Sequence, residues 1–277
     1  MKMKFFGKGS EKRAEAGEAK KQPKKKWMLI LYYFLIAVIV ACVVILAVWK
    51  IRRMRANAML EETQAQVNVL GEVEDTAGDE PKDESDLDID FDALYEINED
   101  IYAWIYVPGT DISYPVLQSG DDKEEDYYLN HNLDGSTGKP ACIYTQKRNS
   151  QDFTDPNTVI YGHNMHDGTM FRTLHEFEDA AFFTEHPYFY IYTPEGKITY
   201  HIFAAYRSDN SDILEEYNDF QSEDVFADYL AEIMSQENSI CNLNTDVEVT
   251  AEDTIVTLST CIGDANYRYL VQGVRED

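Results

Sequence analysis

Between Trp27 and Trp49 the chain runs for 23 residues, WMLILYYFLIAVIVACVVILAVW, without one charged side chain. At about 1.5 Å per helical residue such a run covers the roughly 30 Å hydrocarbon core of a bilayer. A tryptophan at each end, with Tyr32 and Tyr33 near the start, suits the two membrane interfaces. KKQPKKK precedes the run and KIRRMR follows it, and the heavier basic excess on the N-terminal side predicts a cytoplasmic N-terminus. A cleaved signal peptide is the competing possibility, since ANA at 56–58 resembles a processing site. The run is longer than the usual core of about 7–15 residues, and four cations separate it from that site. The sequence therefore divides into a basic cytoplasmic tail (1–26), a single transmembrane helix (27–49), an acidic linker (50–89) and an extracellular globular domain (90–277).

Charge follows the same division. Residues 1–56 hold 14 Lys/Arg and 3 Asp/Glu, whereas the remainder holds 10 and 48. A surface that acidic repels phosphate, so nucleic acid is excluded as a partner. Cys42 lies in the apolar run, leaving Cys142, Cys241 and Cys261 outside. An odd number in an oxidising space leaves at least one thiol unpaired within the chain. Cys142 and Cys241 could pair, or both could be small buried apolar residues.

Residues 56–88, rich in Glu, Asp, Gln and Gly, read as a solvated spacer. DLDIDFD alternates carboxylates but lacks the glycine and closing glutamate of a calcium loop. From about Asp90 apolar residues become periodic, and Phe91, Leu94, Ile97, Ile101 and Ile105 fall at the spacing of an amphipathic entry helix. Seven β-like runs follow: DISYPVLQ, ACIYTQ, NTVIYGH, YFYIYT, KITYHIFAAYRS, TIVTLSTC and YRYLVQGV. TPEGK marks a hairpin, and the whole predicts an antiparallel barrel or sandwich. Two helical stretches interrupt it, GTMFRTLHEFED and SEDVFADYLAEIMSQ; the second carries Val225, Phe226, Tyr229, Ile233 and Met234 along one face.

A thiol at the end of TIVTLSTC raises the question of chemistry. Thiolate nucleophiles need a nearby cation or acid–base partner, and donors for the oxyanion formed on attack. His163 lies just past a β-run in VIYGHNM, and Arg268 opens the final run seven residues after Cys261. If neighbouring strands carry Cys261 at the end of one and Arg268 at the start of the next, the two meet at one rim, where a guanidinium can hold a carbonyl or its oxyanion. Each residue also has a plain structural role open to it: strand-end thiol, loop imidazole, solvated cation. His163 and His166 in HNMH offer no third ligand nearby, so no metal is implied.

TLSTC followed by an arginine at the start of the last strand, with NTVIYGHN about a hundred residues upstream, resembles a sortase. The resemblance is to class B and extends from Phe91 to Val274. INEDIYAWIYVPGTDISYPVLQ, DYYLNHNLDG, GTMFRTLHEF and the helix-bearing insert before TIVTLSTC all fall in that class's order. It implies a mainly β fold, an eight-stranded sortase-type barrel with an N-terminal helix and a helix in the insert before the penultimate strand. It further implies a cysteine transpeptidase without a cofactor, anchored in the cell membrane. Cys261 would attack the Thr carbonyl of an Asn-Pro-x-Thr sorting signal, His163 would carry protons and Arg268 would steady the oxyanion. An amine of a peptidoglycan precursor or cross-bridge would then resolve the thioacyl-enzyme. Matching positions suggest Asn130, Tyr161 and Ser259 as substrate-groove residues, though a turn amide, a core aromatic and a strand hydroxyl would look the same. The loop from Ile262 to Tyr267 is short for the class. Pilus-polymerising class C members usually carry a lid and a second span, neither of which is legible here. A secreted cysteine protease with water as acceptor, and a non-catalytic surface adhesin, remain the alternatives.

Overall fold

The computed structural model describes residues 24–71, 86–236 and 240–276. The basic tail as far as residue 23 and linker residues 72–85 lie outside them. The described residues fall into two units, divided after Lys50. Helix α1 spans Lys24–Gly71. In the first unit its apolar residues are uncovered: Trp27 is 74% exposed, and none of its most apolar window is buried. Leaving a Leu, Ile or Val side chain in water forgoes about 1.5–3 kcal/mol each. A helix this apolar, with no protein surface over it, is a candidate membrane span.

In the second unit α1 differs from the expected solvated spacer. Ala56, Leu60, Thr63 and Val67 are buried, at successive steps of four, three and four residues, and Gln64 Nε2 donates to Ser113 O at 2.8 Å. Their spacing forms a narrow helical stripe. Composition averages that stripe together with the acidic residues around it, which is why the segment looked like linker.

Eight strands close the barrel. They are β1 (Ile101–Val107), β2 (Ile112–Gln118), β3 (Ile143–Thr145), β4 (Asn157–Gly162), β5 (Tyr188–Thr193), β6 (Gly196–Asp209), β8 (Ile255–Cys261) and β9 (Tyr267–Arg275). The two-residue β7 (Asn242–Leu243) only extends the edge of β6. Around the ring the order is β5-β1-β2-β3-β4-β8-β9-β6, and β5–β6 pairing completes it. Most pairs are antiparallel, but β2–β3 and β4–β8 are parallel. Closure leaves no free edge among these strands.

The entry helix is shorter than its periodicity suggested. Helix α2 covers only Phe91–Ile97, capped by Asp90, whose side chain accepts from Ala93 N. Ile101 and Ile105 belong to β1, where six of seven residues are buried. A strand buried on both faces reads as a continuous apolar run, and its isoleucines can fall at helical spacing by chance. Asn98 ends α2: its side chain accepts from Asp100 N and donates to Leu133 O, both at 2.9 Å.

GTMFRTLHEFED forms a 3-10 helix over Arg172–Glu178 followed by α3 (Ala180–Glu185). The insert after β6 holds α4 (Ile213–Glu216) and α5 (Glu223–Met234), the latter capped by Ser222. Phe226, Tyr229, Leu230 and Ile233 of α5 join a second apolar cluster with Val159, Phe203, Leu270 and Val274 from the barrel wall. A polar chain crosses between wall and helix. Gln272 Nε2 donates to Tyr229 Oη and to Thr257 Oγ1, and Thr257 donates to Asn157 Oδ1, each at 2.8 Å. It ties β4, β8, β9 and α5 together beneath the strand ends that carry His163, Cys261 and Arg268.

Candidate active site

The sheet itself brings the three residues together. β4 and β8 run parallel, with Gly162 opposite Thr260 as their last pair, so His163 and Cys261 leave the ladder side by side. β9 returns antiparallel along β8 and places Arg268 directly across from Cys261. Arg268 Nη1 donates to Cys261 Sγ at 3.2 Å. Gly162 is required where it stands: a Cβ there would fall 2.5 Å from the buried Phe171 ring. All three residues line one groove of about 230 Å³, whose wall also includes Leu129, Tyr144, Tyr161, Ser259 and Asp212.

Tyr161 and Ser259 are cross-strand partners in this groove, and Tyr161 stacks on Tyr144 with ring centroids 5.4 Å apart. Burial pushes the Tyr161 hydroxyl well above its ordinary range. Asn130 is placed differently. It ends the short 3-10 helix Tyr127–Leu129, and its neighbour Leu129, rather than Asn130, contributes to the groove wall. No cysteine among the described residues is bridged. Cys142 packs in the main core, where burial raises its thiol far out of the reactive range, and Cys241 sits against the second cluster. The two behave as small apolar residues.

His163 donates from Nε2 to Leu129 O at 2.7 Å. Lys139, unsuspected from the sequence, lays its ammonium against the imidazole, 3.3 Å from Nδ1 and closer to Nε2, and donates to Leu129 O at 3.3 Å. Burial lowers the His163 pKa below its usual value. The bond to Leu129 opposes this, and the Lys139 and Arg268 charges add to the lowering. Lys139 is itself lowered by burial, with the charge of Cys261 acting against it. In stability terms, the unfolded chain takes a proton on His163 as pH falls through about 6.5 while the folded chain resists, so this residue weakens the fold on acidification. Lys139→Met removes one of the two cations facing His163. The imidazole is then expected to titrate at higher pH than in the parent, read by NMR of the ring protons. An unchanged or lower midpoint would show that the ammonium has no hold on the ring.

A thiol next to a guanidinium, with an imidazole at the adjacent strand end, can do nucleophilic acyl chemistry. The guanidinium fork can accompany either thiolate or oxyanion. Asp126, Asp209 and Asp212 also line the groove, with Gln146 donating to Asp212 Oδ2 at 3.1 Å. None of these was visible beforehand: single carboxylates carry no signal in a domain so rich in them, and Lys139 is an ordinary loop lysine by sequence.

The "Sortase domain" family model matches residues 105–276. Sortase B of Listeria monocytogenes is 35% identical over 221 residues, covering 79% of this chain and 81% of the relative. The Clostridium perfringens sortase B structure shares 31% identity and a TM-score of 0.60, over 68% of this chain and 100% of that one. A Staphylococcus aureus sortase B–substrate complex shares 27% identity and a TM-score of 0.64, over 81% and 97% of the two chains. The barrel, its groove and these matches together make the chain a member of the sortase family, of class B, and thus a cysteine transpeptidase.

Proposed function

We propose that this transpeptidase is anchored by residues 27–49 with its N-terminus in the cytoplasm. It cleaves an Asn-Pro-x-Thr sorting signal of a surface protein after Thr, and transfers the product to an amine of peptidoglycan. The observation that carries the reading is the 3.2 Å contact of Arg268 with Cys261 Sγ in a groove that His163 also lines. Cys261 passes its thiol proton to His163 and attacks the Thr carbonyl, and its sulfur–carbon bond forms as the carbonyl electrons move to oxygen beside Arg268. Collapse of that adduct expels the peptide amine, which takes a proton from His163. The incoming amine attacks the thioacyl carbon and loses its proton to His163, the sulfur leaves as thiolate, and His163 returns the proton to it. The existence of a sortase B–substrate complex in Staphylococcus aureus supports a peptide as ligand.

The test is incubation of the full chain in detergent with sorting-signal peptides and a panel of amines, read by mass spectrometry. Amide products that form faster than hydrolysis support the proposal. Hydrolysis alone at every amine concentration would favour a protease, and a thiol no more reactive than free cysteine would favour a non-catalytic surface role.

A further inference from the structure

Beyond the sulfur, imidazole and guanidinium, a second set of side chains holds the backbone of Cys261 itself. The parallel ladder of β4 and β8 ends at Gly162 and Thr260. Past that point, side-chain bonds continue the junction in both directions. Thr260 Oγ1 donates to Gly162 O at 2.9 Å, and Asn164 Nδ2 donates to Cys261 O at 2.6 Å. Asn164 follows His163 directly, so the segment that presents the imidazole also grips the carbonyl of the residue bearing the thiol.

The grip is oriented from behind. Arg172 Nη1 donates to Asn164 Oδ1 at 3.1 Å, which fixes the amide so that its NH2 faces Cys261. His175 donates from Nδ1 to Glu178 Oε1 at 2.6 Å, and its Nε2 lies 3.0 Å from Asn164 Nδ2. That ring nitrogen lies 3.1 Å from Cys261 O, and the ring stacks on Tyr269 of β9 with centroids 5.1 Å apart. Asn164 and His175 thus both reach the Cys261 carbonyl. Neither Asn164 nor His175 lines the groove.

We infer that Asn164 and His175 are positioning residues, which hold the end of β8 so that Cys261 Sγ stays against Arg268 and at the height of His163. The inference rests on the proposed function for its peptide assay, but its geometry concerns the thiol alone. Errors of about 1 Å in the placement of reacting groups cost up to about a hundredfold in rate. Such a loss falls on the chemical step and leaves peptide binding in the groove intact.

Asn164→Asp and His175→Gln are made in the full chain in detergent, with Arg268→Ala as reference. Asn164→Asp sets an acceptor against the Cys261 carbonyl, whereas His175→Gln keeps a side-chain amide that can donate to that carbonyl or accept from Asn164. We expect Asn164→Asp to lower kcat for thioacyl formation by about 10–100-fold with KM within about twofold, and His175→Gln to retain most of the parent rate. Alkylation of Cys261 by iodoacetamide, which needs no peptide, is expected to slow in Asn164→Asp in the same direction as in Arg268→Ala. If the parent turns over no peptide, the functional proposal fails while the alkylation comparison still tests the positioning role. Parent-like kcat and alkylation in Asn164→Asp would overturn the inference. So would a loss confined to KM, or one matched by an equal fall in folded fraction on thermal melting.

Discussion

Cys261→Ala is expected to form no acyl-enzyme with a sorting-signal peptide, with the mass of the intact chain unchanged after incubation. Turnover should fall by at least about 10⁴-fold, because Cys261 is the one thiol among the described residues that line the groove. Stability should barely move. Cys261 is half-buried at a strand end, outside both apolar clusters, and its loss leaves the β8–β9 ladder intact. Substitutions of that kind stay within about 0.5 kcal/mol. Thermal melting alongside mass spectrometry separates the two quantities. A persisting covalent adduct in Cys261→Ala would move the nucleophile elsewhere and end the mechanism drawn above.

Arg268 carries the next largest expected effect. Its Nη1 faces Cys261 Sγ, and in the proposed mechanism the same fork meets the oxygen that gains charge when the thiol attacks. Removing one such donor costs about 10²–10³-fold in kcat. Arg268→Ala should show that loss. Arg268→Lys should recover only a minor part, since a single ammonium cannot reproduce two parallel N–H donors. Steady-state kinetics with a fixed peptide and amine decide the matter. If Arg268→Ala stayed within about tenfold of the parent, oxyanion stabilisation would have to come from elsewhere in the groove.

Where the sequence could be read, the signal was local. Strand runs such as TIVTLSTC and YRYLVQGV announce themselves through β-branched and aromatic residues, and seven residues of spacing suffice to bring Arg268 back opposite Cys261. The TPEGK turn joins β5 to β6 as expected, and Ser222 caps α5. Failures came where a local pattern was ambiguous or averaged away. Ile101 and Ile105 match a helix and a buried strand equally well, and only the barrel decides between them. Leu60 and Val67 are two apolar residues in a polar segment, recognisable as core only once the surface that receives them exists. Lys139, Asn164 and His175 reach the strand ends from loops and a short helix, so their meeting depends on tertiary closure that no spacing encodes. Asn130 shows the converse: a residue in a matching motif can hand the groove wall to its neighbour.

The insert between β6 and β8 has a consequence for diversification. It supplies half of the buried residues of the second apolar cluster, while the barrel closes through β5–β6 without it. Each doubling of a loop's length adds only about 0.6 kcal/mol of closure entropy. Residues 210–213, at its entrance, line the groove beside Ser208 and Asp209 at the end of β6, whereas His163, Cys261 and Arg268 are set by strand pairing. On the proposed function, part of the peptide-recognising wall is then mounted apart from the reacting groups. A lineage could exchange the first wholesale, and so change clientele, without retuning the second.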